Sequence, residues 1–171
     1  MTFFQIAVHH LVVLCFVGLL VWAALNDSRH YIIPNRICAA VVGLYPAHVM
    51  ASTVPVQWEM SIALALVVFA IFAVFFSMNF MGGGDVKLIA ATALWAGPNY
   101  LLLLLLTTAF IGGVFALGML IHLRMFTPTP VADGLPRSWR EKLFVGVRTR
   151  VPYGVAIAVG GVFVAVRLFS V

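Results

Sequence analysis

Charge is scarce in this chain. Only 9% of its 171 residues are Asp, Glu, Lys or Arg, and just five are acidic; soluble domains carry about a quarter charged residues. The mean hydropathy is +1.13 and 64% of the residues are hydrophobic, which excludes an ordinary soluble enzyme. Cysteine is nearly absent. Cys15 and Cys38 lie inside apolar segments with no Cys or His at ligand spacing, so neither a zinc site nor a disulfide framework is expected, and both read as buried small hydrophobes. The five histidines show no His-x-x-x-His spacing, so no metal and no cofactor are expected. A basic start is also missing before the first apolar segment, which is longer than the roughly 7–15 residue core of a secretory signal. It reads as a retained helix.

What is present is a series of apolar segments at about 3–25, 37–54, 58–78, 86–97, 100–123 and 151–169. All but the fourth approach the ~20 residues needed to cross a bilayer. The breaks between them are too short for a separate globular unit, so one membrane-embedded domain over 1–171 is expected, all-α with six transmembrane helices. Pro98 and Asn99 mark the turn between the fourth and fifth segments.

The ten basic residues would suggest nucleic acid in a soluble protein, but their distribution follows membrane topology. With the N-terminus outside, nine of them fall on the cytoplasmic side and only Arg167 lies near the outer end. Both termini are therefore expected outside, with lipid as the surrounding partner and no nucleic acid. A basic cytoplasmic loop occupies about 124–150. Trp139, Leu143 and Phe144 among its cations fit either an amphipathic helix in the headgroups or a solvated loop. Asp133 and Glu141 belong to that loop, and Glu59 to the outer boundary.

Two acids remain. Asp27 follows the first apolar segment and Asp85 follows Gly82, Gly83 and Gly84, so this topology puts both on the cytoplasmic face. Carboxylates at the edges of apolar segments are costly and point to function. A pair of carboxyls held close shares one proton, one acting as acid and the other as base, which is the chemistry of aspartic peptide hydrolysis. The glycines permit positive φ and close approach of another segment. Asp85 reads as the N-cap or first residue of the fourth helix, with Lys87 nearby, and Asp27 sits at a helix C-terminus. The helix-end fields then make Asp27 the acid and Asp85 the base. Pro34 ends the loop in extended geometry and Asn35 caps the second helix. Pro152 opens the last helix with Gly154 for close packing, and Tyr153 either contacts the site or anchors the interface.

Asp27 with Ile33-Pro34-Asn35, then Gly82-Gly83-Gly84-Asp85-Val86-Lys87-Leu88, then Val151-Pro152-Tyr153-Gly154, in this order on six apolar segments, resembles the type IV prepilin peptidases, GxGD-type aspartic peptidases of the bacterial inner membrane. The resemblance implies cleavage of the basic leader of a prepilin or pseudopilin at the cytoplasmic membrane face, with Asp27 and Asp85 as the catalytic pair. The compact form is similar to the peptidases of tight-adherence (Flp) pilus systems, in pilus biogenesis and protein secretion. Paired Cys-x-x-Cys motifs and the segment associated with N-methylation are lacking, so methyl transfer is not expected. The competing reading is a small transporter or assembly protein whose aspartates bind protons or a cation.

Overall fold

The computed structural model describes residues 3–126 and 153–169. The expected loop helix within 124–150, Asp133, Glu141 and Pro152 therefore have no placement among the described side chains. Every regular element among the described residues is a helix, with no strand: α1 (Phe3–His30), α2 (Asn35–Ala51), α3 (Trp58–Ser77), α4 (Gly83–Phe126) and α5 (Tyr153–Phe169). Among the described residues three helices are long and apolar enough to cross a membrane, within Phe3–His30, Trp58–Ser77 and Gly83–His122. α5 is a shorter apolar helix.

α4 contains the expected break, one residue earlier than the Pro98–Asn99 turn. Gly97 has φ 54° and ψ −167°, a backbone state that an L side chain resists, and Pro98 forces its predecessor out of the helical region. The arm before the break, 83–96, rises only about 21 Å at 1.5 Å per residue, less than a bilayer core. The helix thus has two arms, and Gly97 is where they separate.

α4 packs against α2, α3 and α5, while α1 packs against α2 and α5. The core is built from Phe16 and Leu20 of α1, Val41 of α2, Leu88, Ile89 and Trp95 of α4, and Ile157 and Val164 of α5. α3 buries little beyond Ser61 and Val68 and leaves Leu66, Phe69, Val74 and Phe76 uncovered. Such a helix suits a lipid-facing position, where uncovered apolar surface carries no penalty. Cys38 is buried as expected, whereas Cys15 is exposed on α1, because its position falls on the face away from the core. On α5, Gly160 and Gly161 let the helix sit directly on Thr108 and Leu20, respectively. Small residues admit this backbone approach.

Phe16 and Trp95 stack with ring centroids 4.1 Å apart, and Trp95 Nε1 donates to the Val41 carbonyl at 2.9 Å. Trp95→Ala removes a buried ring and that bond, so thermal unfolding in detergent should show a loss of about 3–5 kcal/mol.

Candidate active site at the aspartate pair

The cytoplasmic-side expectations meet at one end of the bundle. α1 runs to His30, five residues past the apolar segment, and carries Asp27 in its last turns. Tyr31 then takes φ 52° and its N–H donates to the Asp27 carbonyl at 2.9 Å, closing the helix in a left-handed cap. Beyond it Ile32 and Ile33 run into Pro34, whose ψ of 135° makes it the N-cap of α2. Asn35 is thus the first helical residue and not the cap. Its side chain instead accepts from Lys87 Nζ at 2.9 Å, an exposed bond tying the start of α2 to the start of α4.

α4 begins at Gly83, so Asp85 is its third residue and not its cap or first residue. The Val86 N–H bonds back to the Gly82 carbonyl at 3.2 Å, which makes Gly82 the cap. Asp85 folds back to accept from the Gly82 N–H, as the acidic member of a capping box does. Its other oxygen, Oδ1, is buried without a hydrogen-bond partner.

None of Gly82, Gly83 or Gly84 has positive φ; among the described residues Gly97 is the glycine that does. The expectation of left-handed backbone at the triplet is therefore corrected, and proximity is what the sequence of glycines provides. A Cβ on Gly84 would lie 3.0 Å from Ile33 Cβ and 3.3 Å from the Ile33 carbonyl oxygen. The extended stretch that approaches is the chain's own Ile32–Pro34 run. Gly84→Ala must push this backbone aside, which a thermal melt in detergent should show as a cost of about 1–3 kcal/mol.

Gly154 holds the other acid. Its N–H donates to Asp27 Oδ2 at 2.7 Å in a buried bond, and the Val155 amide adds a second donor. These amides are free because they start α5, where the helix field also favours an anion. Asp27 is only 5% exposed. Tyr153, half-buried, lays its ring over Gly112 of α4, 3.2 Å from where a Cβ would be. It packs the start of α5 in place.

Asp27 and Asp85 line one cavity of about 200 Å³ together with Tyr31, Ile32, Ile33 and the three glycines. Of the residues singled out from sequence, Asp27, Asp85, Gly82, Gly83 and Gly84 share this cavity. Gly154 supports it from behind, and Pro34, Asn35 and Lys87 brace its rim. Sequence reasoning missed Tyr31 and Ile32 as lining residues, and Cys38, whose Sγ lies 4.0 Å from the Gly84 carbonyl beneath the triplet.

The profile of the Type IV leader peptidase family matches residues 14–117. The chain belongs to the type IV leader peptidase family. The match covers both aspartates, the Ile32–Pro34 run and the glycine triplet, and ends before Gly154. A prepilin leader peptidase/N-methyltransferase of Dichelobacter nodosus is 30% identical over 129 residues, covering 70% of this chain. The chain spans 40% of that leader peptidase's length. No solved structure matches.

Proposed function

We propose that this member of the leader peptidase family is a membrane aspartic endopeptidase that removes the leader of prepilin-like substrates, of the Flp type, at the cytoplasmic face of the bacterial inner membrane. The topology that accompanies this reading has six spans and both termini outside, counting the two arms of α4 separately. The observation that carries it is the single cavity shared by two carboxyls, one held by backbone amides and one with a free oxygen.

The hydrogen bonds favour roles opposite to those expected from helix ends alone. Asp27 lies at the C-terminal end of its own helix, but its oxygens sit at the N-terminus of α5 and accept two amides there. That makes Asp27 the base, removing a proton from water as the water attacks the scissile carbonyl. Asp85, whose Oδ1 lacks a partner, is the acid that donates to the carbonyl oxygen. Collapse of the tetrahedral intermediate then re-forms the carbonyl as one hydroxyl returns its proton to Asp85, and breaks the C–N bond as the leaving nitrogen takes the proton held by Asp27. Tyr31, Ile32 and Ile33 offer the wall along which an extended leader lies.

Co-expression with a small Flp-type prepilin, followed by N-terminal sequencing of the product, tests this. Wild type should yield a substrate shortened at one site next to its apolar helix, and Asp85→Asn should leave it full length. Processing that continues with Asp85→Asn excludes the two-aspartate mechanism.

A further inference from the structure

A second cluster of polar groups occupies the opposite end of the bundle. His9 of α1 and His48 of α2 are 4% and 2% exposed, far below what imidazoles keep at a surface. The Nδ1 atoms of both rings are buried without hydrogen-bond partners, and so is Tyr45 Oη, one turn before His48. Orphaned polar atoms of this kind are rare and each calls for a partner. Three in one cluster call for a shared one.

His9 is prepared as a ligand. Its Nε2 lies 3.1 Å from the Leu168 carbonyl of α5; a carbonyl only accepts, so Nε2 carries the hydrogen and the neutral ring is left with a lone pair on Nδ1. A histidine whose second nitrogen is fixed by a backbone carbonyl is the arrangement that orients metal ligands. The His9 and His48 ring centroids are 5.4 Å apart. Two imidazoles sharing one tetrahedral ion at about 2.0–2.1 Å put their centroids roughly 5 Å apart. His48 is further immobilised by stacking on Trp95 at 4.9 Å, and the Tyr45 ring lies 6.0 Å from it. Both histidines also line a cavity of about 90 Å³ with Ser61, Trp95 and Gly97, which has room for water to complete an ion's coordination.

We propose that His9 and His48 bind a divalent transition-metal ion of the zinc class, with Tyr45 and water as further ligands. Imidazole nitrogens suit Zn²⁺, Cu²⁺ and Ni²⁺ and not Mg²⁺ or Ca²⁺. The ion ties α1 to α2, and through Leu168 to α5, at the end of the bundle remote from the aspartates. Spacing along the chain does not show the site because each helix supplies a single histidine.

The test uses the full chain, purified in detergent without a histidine tag and titrated with Zn²⁺. One ion per chain should bind saturably, and His9→Gln and His48→Gln should each weaken binding at least about tenfold. His10→Gln and His30→Gln should bind as wild type does. X-ray absorption on the zinc-loaded wild type, which requires no variant to fold, should show two imidazoles at about 2.0–2.1 Å. Absence of saturable binding, fewer than two imidazoles on the ion, or undiminished binding by both His9 and His48 variants overturns the proposal.

Discussion

Gly154→Ala is expected to abolish most leader cleavage while leaving both aspartates in the sequence. A Cβ at this position would sit 2.7 Å from Asp27 Oδ2, 2.9 Å from Asp27 Cβ and 2.8 Å from Ile33 Cδ1. Ile33 Cδ1 is the tip of a flexible chain and can move. Asp27 Oδ2 cannot retreat without lengthening its 2.7 Å bond to the Gly154 amide, and Asp27 Cβ is fixed to the backbone of α1. The start of α5 and the end of α1 must therefore separate by several tenths of an ångström. Displacements approaching 1 Å of a reacting group cost about 10²-fold in rate, and overpacking of this kind costs about 1–3 kcal/mol in stability. Rate measurement on a purified prepilin, together with a thermal melt in detergent, reads both. The control is Gly113→Ala in α4, where nothing lies within 4 Å of the added Cβ. Alanine there should be neutral or stabilising, by up to about 1 kcal/mol, with cleavage unchanged. Equal cleavage by the two variants would remove Gly154 from any part in positioning Asp27.

That dependence on Gly154 marks the limit of what the sequence disclosed. Asp27 and Asp85 were legible because carboxylates are conspicuous in an apolar chain, and the apolar segments because their lengths match a bilayer. The bond between Asp27 and Gly154 joins residues 127 positions apart, and no local pattern announces it. Without it the field at the end of α1 is the sole guide to Asp27, and that field favours Asp27 as the acid, where we propose it as the base. Asn35 misled for a similar reason. Asparagine before an apolar run is a good capping residue, yet Pro34 already occupies the cap and Lys87, 52 positions away, takes the amide. Tyr31 gave no signal because a left-handed helix end is usually marked by glycine or asparagine. The glycine triplet stands out in the sequence beside Asp85. Whether glycine serves positive φ or close approach depends on the neighbouring segment, which only the fold supplies.

The largest expected effect belongs to the aspartates themselves. Asp27→Asn and Asp85→Asn should each lower cleavage by about 10²–10⁴-fold, the range that general acid–base groups contribute. The double variant should be little worse than either single one, because two groups that share one proton act as a unit. Stability separates the chemistry from the scaffold at Asp27. An asparagine there keeps a carbonyl oxygen to accept the Gly154 amide, so its cost should stay below about 1 kcal/mol, whereas Asp27→Ala leaves buried amides unpaired at about 1–3 kcal/mol. Both variants should be equally inactive. If Asp27→Asn retained cleavage within tenfold of wild type, the amide bond to Asp27 would be structural alone and the base would have to be sought elsewhere. If instead Asp27→Ala were inactive only in proportion to its unfolded fraction, stability would account for the loss. A melt and a rate measured on the same preparation distinguish the two, because a missing base lowers the rate of molecules that remain folded.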